Sequence, residues 1–468
     1  MASTDALTRT YSVLDGDEGH PLEVTWGDPI EEADGAWFCE VSFAEAGKPT
    51  WRRRVGGVDA VQALYLGLQL AASDLYSHTQ HVCWFERDDD LGLPVLPAVQ
   101  EVVQARAERF RVTQRERELA REVIRSFDNG LARLTLNRPA ALNALTTAMC
   151  RDMIEELNVW RRDSAIKAIL IDHAGPRGFC AGGDIRMLAE SGARDGVEAR
   201  RFFATEYRLD ALIEAYPKPV IAIMDGVVMG GGVGISLPAR YRIATERTRF
   251  AMPETGIGLF PDVGAGWFLP KLPDRTGLWI ALTGARLAAA DCLHLGLATH
   301  AVESARLDGL KAALAEAPDE IERILNEFSF DPGHPPIAYA EADIDRLFAG
   351  DDLEAIFAAL TYDGSDWASA QLAAMAPKSP LSAKVAFHQM AGGLKPKSLA
   401  DDLVVEYRLA SRLVMRPDFR EGVRAVIVDK DNAPAWSPAS LAEVSEALVD
   451  AMFAPLPPDQ EWTPLAGA

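Results

Sequence analysis

From Glu122 onward the sequence changes repeatedly between two hydrophobic periods, and this alternation limits the folds open to the chain. Short apolar runs typical of strands cover residues 131–136, 168–172, 220–224 and 241–244. Segments with apolar residues at helical spacing lie at 146–162, 199–215, 276–282 and 288–295. Strands that alternate with helices in this way predict an α/β fold with crossover helices.

The chain on either side of this region has a different pattern. Residues 1–115 contain several strand-like runs and a helix-like run at 58–75, so we expect a small α+β domain there. Residues 97–121 mix charges of both signs, which predicts an exposed connecting helix at the domain boundary. We assign residues 116–330 to the core domain and 331–468 to a helical C-terminal region of the same unit, whose Pro-rich end we expect to fray.

The composition excludes several classes of function. The chain carries 47 Lys and Arg against 69 Asp and Glu, a net charge of −22, so we expect no nucleic-acid partner. No apolar run reaches the roughly 18–20 residues of a membrane span, and the first residues lack a secretory pattern. We therefore expect no membrane partner and a cytoplasmic location. The five scattered cysteines and the His spacing predict neither disulfides nor a metal site.

Two glycine-rich segments follow predicted strands. Residues 178–185 read GFCAGGDI, and residues 225–234 read DGVVMGGGVG. Small residues at a strand-to-helix junction let a ligand approach the backbone, and they can aim amide groups at a developing negative charge. The alternatives are a tight turn for the first segment and close helix–strand packing for the second. The second segment is not a nucleotide P-loop, because its glycine spacing differs and no Lys-Ser/Thr pair follows.

A third segment, residues 252–264 (MPETGIGLFPDVG), places two carboxylates eight positions apart among apolar residues. An acid in such surroundings can have a raised pKa and can act as a base, an acid or a nucleophile. Glu254 and Asp262 are therefore candidate catalytic residues. For Asp262, capping of the helix that starts after it is a competing interpretation.

Together, these segments resemble the crotonase (enoyl-CoA hydratase/isomerase) superfamily. The resemblance is carried by LTLNRPAALNAL (134–145), FCAGGDIR (179–186), KPVIAIMDGVVMGGGVG (218–234) and FAMPETGIGLFPDVG (250–264). The last of these, with RPDFREGVRAVIVDKDNAPAW (416–436), is similar to the 3-hydroxyisobutyryl-CoA hydrolase branch. The resemblance covers residues 120–310 and extends to about 440, whereas residues 1–115 resemble no family known to us.

The resemblance implies a spiral core of ββα turns that binds an acyl-CoA thioester, with coenzyme A as part of the substrate and no further cofactor. It implies an oxyanion hole made by the backbone amides of Ala181 and Gly231. It also assigns substrate contacts to Glu206, Gly182, Gly183 and Asp184. The superfamily often forms trimers, so a homo-oligomer is one expectation for this chain.

One departure from the superfamily pattern decides the expected reaction. Hydratases of the superfamily carry a Glu three residues after the oxyanion glycine, where this chain has Gly234. The hydrolase branch instead combines Glu254 with Asp262, which indicates hydrolysis of a short-chain 3-hydroxyacyl-CoA, with 3-hydroxyisobutyryl-CoA from valine breakdown as the expected substrate. An enoyl-CoA hydratase or isomerase reaction and a non-catalytic acyl-CoA-binding scaffold are the alternatives.

The expected mechanism leaves two routes open. Glu254 either attacks the thioester carbonyl or activates a water, while Asp262 contacts the substrate hydroxyl or assists proton transfer. Cys180 is interpreted as a packing residue rather than a nucleophile. The candidates for holding the phosphates of coenzyme A are the basic residues in or beside the motifs, Arg138, Arg186, Lys218 and Lys271.

Overall fold

A computed structural model describes residues 6–15, 18–78, 81–85, 89–119, 121–391 and 396–464. The chain divides into two compact units, Met1–Ala120 and Arg121–Ala468. Each unit has its own core of buried apolar side chains.

The smaller unit is an antiparallel sheet with one packed helix. Its elements are β1 (Leu7–Asp15), β2 (Glu18–Trp26), β3 (Ile30–Glu31), β4 (Trp37–Glu45), β5 (Trp51–Gly57), α1 (Ala60–Tyr76), β6 (His81–Cys83) and α2 (Gln100–Leu119). The strand order is β3-β4-β2-β1-β6, and β5 pairs with β4. The Asp59 side chain accepts the Gln62 N–H and so caps α1, which buries Ala63, Ala71 and Leu75. The α+β character expected for this part is confirmed.

The larger unit is built on a six-stranded sheet. The strands of this unit, two of which lie outside the six-stranded sheet, are β7 (Val123–Asp128), β8 (Leu131–Leu136), β9 (Ala168–His173), β10 (Val220–Met224), β11 (Val227–Met229), β12 (Tyr241–Ala244), β13 (Arg249–Ala251) and β14 (His300–Ala301). The order of the sheet is β14-β12-β10-β9-β8-β7, parallel throughout except for the β7–β8 pair. Residues on both faces of β9 and β10 are buried, which explains their continuous apolar sequences.

Helices cover this sheet and form the rest of the unit. They are α3 (Thr147–Trp160), α4 (Ile185–Gly192), α5 (Val197–Glu214), α6 (Gly231–Gly234), α7 (Ala265–Phe268), α8 (Thr276–Thr283), α9 (Ala289–His294), α10 (Leu307–Glu316), α11 (Ile321–Phe328), α12 (Glu341–Leu347), α13 (Leu353–Asp363), α14 (Asp366–Met375), α15 (Pro380–Ala391), α16 (Leu399–Leu413), α17 (Pro417–Val423) and α18 (Glu446–Phe453). Within the described residues, no helix is both long enough and apolar enough to span a bilayer.

Short strands after the main-sheet strands form a second layer. β11 follows β10, β13 follows β12, and the two pair in parallel. Cys180, which follows β9, makes a parallel bridge to Val228 of β11. Each turn of the chain thus adds one strand to the sheet, one short strand to the second layer and then a helix. The expected spiral of ββα turns with a helical C-terminal region is confirmed.

The C-terminal segment differs from the expectation that it frays. Trp462 is buried, and its Nε1–H donates to the Ala204 carbonyl on α5 at 2.9 Å. The Trp462 ring also packs edge-on against Tyr207, with ring centroids 6.4 Å apart. One large aromatic residue thus anchors a Pro-rich segment, while the last four residues lie outside the described part of the chain.

Candidate active site

A cavity of about 580 Å³ lies in the larger unit, where the loops after β9 and β11 meet the turn after β13. Seven of the eight predicted site residues line it: Ala181, Gly182, Gly183, Glu206, Gly231, Glu254 and Asp262. The spiral fold explains why these residues meet, because the loops that follow successive parallel strands all lie at the same edge of the sheet.

Asp184 is the predicted site residue that lies outside the cavity lining. Its Oδ1 accepts the Met187 N–H and caps α4, and its Oδ2 accepts a hydrogen bond from the Arg138 guanidinium at 3.0 Å. The structure thus gives this carboxylate a role in starting a helix. Its contact with substrate stays a prediction.

The amide of Ala181 does not fit its predicted place in the oxyanion hole. Its N–H donates to the Leu142 carbonyl at 3.1 Å and so already has an acceptor. Gly183 is two residues further on, and the adjacent bonds run from Leu145 N–H to Gly182 O and from Asp184 N–H to Leu145 O. Within the described chain no acceptor is found for the Gly183 N–H, which therefore replaces Ala181 as the candidate donor.

The second predicted amide belongs to Gly231, the first residue of α6. The N–H at this position has no acceptor within its own helix. Gly230, just before it, has φ +47°, a conformation that glycine adopts without strain. A Cβ atom on Gly231 would lie 2.2 Å from Glu206 Oε1, so any side chain here would force that carboxyl group to move.

Glu254 begins a short 3₁₀ turn after β13 and is 5% exposed. Burial, followed by the nearby charge of Asp262, raises the pKa of Glu254 well above its usual range, while backbone amides and Lys378 act in the opposite direction. Its Oε2 is buried and has no partner in the described part of the protein. An unpartnered buried carboxylate oxygen at a cavity wall can act as a nucleophile or a base.

Asp262 is held by Tyr207, whose hydroxyl donates to Asp262 Oδ2 at 2.8 Å. Burial raises the pKa of Asp262 to about 6, although the Tyr207 hydrogen bond lowers it. The capping interpretation of this side chain is wrong, because the residue before α7 is Gly264 and no side chain caps that helix.

Asp210, which the sequence motifs did not indicate, forms an acidic cluster with Glu206, Glu254 and Asp262. It lies four residues after Glu206 on α5, so the two side chains share one face of the helix. A Cβ atom on Gly234 would lie 2.8 Å and 3.0 Å from the two Asp210 carboxyl oxygens, so Asp210 packs against the bare backbone there. Both oxygens are buried and unpartnered among described groups. The i,i+4 pair of acids in TEYRLD was the available signal.

Burial and mutual repulsion shift the acids on α5. The pKa of Glu206 is raised well above its usual range, first by burial and then by the charges of Asp210, Asp262 and Glu254. The pKa of Asp210 is raised by burial and by Asp262. Because like charges so close together cannot all ionise cheaply, burial and repulsion favour the protonated forms of Glu206 and Asp210.

The basic residues of the cavity are not those expected from the motifs. Arg286 and Lys378 line it, from segments far from the glycine loops. Of the four predicted candidates, Arg138 pairs with Asp184, Arg186 reaches the Ile427 carbonyl, Lys218 binds the carbonyls of Trp160 and Asp163, and Lys271 lies over the Trp267 ring. Their contact with coenzyme A stays a prediction.

The Cys180 thiol is buried, and burial raises its pKa to about 12. It is therefore a poor source of thiolate, as the packing interpretation expects. Among the residues that the structure describes, no three His, Cys, Asp or Glu side chains are arranged to hold a metal ion.

Comparison with protein families identifies the larger unit. The model for enoyl-CoA hydratase/isomerase matches residues 131–453. The chain belongs to this family. Residues 7–95 match a family described as a domain of unknown function, DUF6968.

Among curated members of the enoyl-CoA hydratase/isomerase family, the mitochondrial 3-hydroxyisobutyryl-CoA hydrolase of Danio rerio is 43% identical over 69% of this chain and 87% of that protein. The Homo sapiens protein of the same name is 41% identical over 67% of this chain and 83% of its own length.

Two solved structures of the family support the fold. A carnitinyl-CoA dehydratase from Mycobacterium thermoresistibile superposes with a TM-score of 0.71 at 41% identity, covering 74% of this chain and 99% of that one. An enoyl-CoA hydratase from Rhodobacter sphaeroides gives 0.67 at 37% identity, covering 73% and 100%.

Proposed function

We propose that this protein hydrolyses the thioester of a short-chain 3-hydroxyacyl-CoA, with 3-hydroxyisobutyryl-CoA as its substrate. The observation that carries the proposal is the pairing of Glu254 and Asp262 in one cavity, while Gly234, where hydratases carry a Glu, has no side chain and packs against Asp210. The curated relatives named 3-hydroxyisobutyryl-CoA hydrolase, at 41–43% identity, support the same substrate.

In the proposed reaction the thioester carbonyl oxygen points at the amides of Gly183 and Gly231. As the carbonyl carbon is attacked, these donors stabilise the negative charge that develops on the oxygen. The tetrahedral intermediate then collapses, the C–S bond breaks and coenzyme A leaves as the thiolate. Removal of one such donor typically costs about 2.7–4 kcal/mol of transition-state stabilisation.

Glu254 supplies the attack by one of two routes. Either its carboxylate oxygen bonds to the carbonyl carbon, giving a mixed anhydride that water later hydrolyses, or it takes a proton from a water that attacks directly. A single turnover in ¹⁸O-labelled water tests for the anhydride. Label in the Glu254 carboxyl group establishes that route, because it requires water to attack the Glu254 carbonyl carbon of the anhydride.

Glu206 and Asp262 complete the acyl end of the site. Glu206 Oε1 is buried and unpartnered, so a substrate hydroxyl can provide its hydrogen-bond partner. Asp262, with a pKa of about 6, can exchange a proton near neutral pH. This scheme uses carboxylates and amides alone, so turnover should be unchanged by EDTA.

The test is release of free thiol from 3-hydroxyisobutyryl-CoA, with hydration of crotonyl-CoA measured on the same preparation. The proposal predicts thiol release with negligible hydration. Hydration without thiol release would contradict it and would favour the reaction named for the solved relatives. Binding of acyl-CoA without either reaction would favour a scaffold.

A homo-oligomer and a cytoplasmic location are also part of the proposal. Sedimentation equilibrium checks the first, and fractionation of the source cells checks the second. The curated relatives compared above are named as mitochondrial proteins, so the second is a point on which this chain can differ from them.

A further inference from the structure

Lys378 brings a positive charge into the acidic cavity from a distant part of the sequence. It precedes α15 and lines the cavity together with Glu254. Its ammonium nitrogen occupies a slot left by two glycines. A Cβ atom at Gly256 would lie 3.2 Å from Nζ, and one at Gly284 would lie 3.3 Å from it. The space around this ammonium group is therefore tightly defined.

Hydrogen bonds fix the start of α15 against the turn that carries Glu254. The Ser379 N–H donates to the Thr255 carbonyl at 3.0 Å, and both residues are fully buried. The Ser379 hydroxyl donates to Asp418 Oδ2 at 2.8 Å. Lys378 and Glu254 are the residues immediately before these two backbone partners. The same contact that joins the two segments therefore sets the lysine beside the glutamate.

The surroundings of Glu254 are otherwise dominated by acids. The charged and titratable groups around it are Asp262 from its own loop, Glu206 from α5 with Asp210 beside it, Arg286 after α8, and Lys378. The charge of Asp262 favours the protonated form of Glu254, and that of Lys378 favours the carboxylate. Burial lowers the pKa of Lys378, while the charge of Glu254 raises it.

We propose that Lys378 is a positioning residue that favours the ionised form of Glu254. Its ammonium group offsets part of the field of the neighbouring acids, so that more of Glu254 is in the carboxylate form needed for attack or for proton removal. The kinetic consequence rests on the proposed thioester hydrolysis, whereas the charge state of Glu254 does not.

The kinetic test compares Lys378→Met and Lys378→Arg with the wild type over a range of pH. Loss of a neighbouring cation raises the pKa of a carboxyl group by about one unit or more, so the acid limb of kcat should move up by as much in Lys378→Met. Turnover at the pH of the wild-type limb then falls about tenfold and recovers at high pH. The arginine variant should keep the wild-type profile.

Lys384→Met is the matched control. Lys384 lies on α15, six residues after Lys378, but it pairs with Glu354 at 2.6 Å and bonds the Val444 carbonyl, and it is not part of the cavity lining. The Lys384→Met substitution removes one positive charge from α15 without changing the lining of the cavity that contains Glu254. Its acid limb should coincide with that of the wild type.

A second measurement does not depend on activity. Infrared difference spectra over the same pH range should show a protonated-carboxyl band that persists to higher pH in Lys378→Met than in the wild type. That band should be missing from the double variant Lys378→Met/Glu254→Gln, which assigns it to Glu254.

An unchanged infrared band in Lys378→Met would overturn the proposal. So would a kcat that falls by one factor at every pH, which indicates a structural role, or an effect confined to KM, which indicates substrate binding. If the wild type releases no thiol, the proposed function fails and the infrared result alone decides the role of Lys378.

Discussion

Glu254 differs from the other acids of the cavity because a cation lies beside it. We expect Glu254→Gln, which is nearly isosteric, to lower turnover by about 10²–10⁴-fold while the thermal unfolding midpoint stays close to that of the wild type. Thiol release under saturating substrate measures this. Glu303→Gln, at an exposed position, is the control and should retain full turnover. Wild-type turnover in Glu254→Gln would exclude the mechanism.

Asp210 is predicted to make stability depend on pH. Its pKa in the folded protein is raised, so the folded state binds more protons than the unfolded state above the unfolded pKa of about 3.9. Stability contributed by this group is therefore lost as pH rises, by about 1.4 kcal/mol per pH unit until the folded pKa is reached.

Asp210→Asn should remove that loss. Urea unfolding at pH 5, 6 and 7 should show the variant gaining stability relative to the wild type with each step below the pKa of Asp210 in the folded protein. The control Asp308→Asn, at a fully exposed carboxylate, should show no such trend. A difference between Asp210→Asn and wild type that does not vary with pH would mean that Asp210 is not protonated by folding.

The site shows which residues the sequence could reveal. Glu254, Asp262 and Gly231 lie in short local motifs, and all three line the cavity. The sequence could not show that Gly183 rather than Ala181 is the candidate oxyanion donor, because the motif AGGD does not determine which way each amide points. Asp210 had a local signal in its spacing from Glu206, whereas Arg286 and Lys378 reach the cavity from separate segments that only the fold brings together.

Among the secondary-structure elements, α15 is joined to the turn that carries Glu254 at Ser379, the residue before its first residue. Its hydroxyl donates to Asp418 and accepts the Ser382 N–H at 3.3 Å. Ser379→Ala leaves Asp418 Oδ2 without this donor, so we expect a loss of about 1–3 kcal/mol in the free energy of unfolding. Denaturant unfolding measures it, and Ser369→Ala, exposed on α14, should be within experimental error of wild type. An unaffected stability in Ser379→Ala would show that the junction is not held by this hydroxyl.

Strands of the main sheet were more predictable than those of the smaller unit. β8, β10 and β12 have the predicted bounds because their apolar runs are buried on both faces and end at turns. In the smaller unit, by contrast, β1 mixes polar residues with apolar ones and β6 is only three residues long, so the sequence pattern did not indicate either strand. Tertiary pairing with β2 and β1 makes them strands.

At the scale of the whole molecule, the cavity belongs to one of the two units. All of its lining residues fall between 181 and 434, within Arg121–Ala468. We expect a variant that begins at residue 121 to keep kcat/KM within about threefold of the full chain, because each unit has its own core. Calorimetry should show two unfolding transitions in the full chain and one in the variant. A large loss of activity with intact folding would show that the DUF6968 unit contributes to catalysis.

The anchoring of Trp462 has a practical consequence for anyone who handles this protein. The Trp462 ring packs against Tyr207, and the Tyr207 hydroxyl donates to Asp262. Through these two contacts, residues near Trp462 are linked to an acid of the cavity. A purification tag or a truncation that disturbs residues 461–463 is therefore expected to change the pH dependence of activity rather than to reduce solubility. Expression vectors for enzymology should leave this end native and carry their fusion elsewhere.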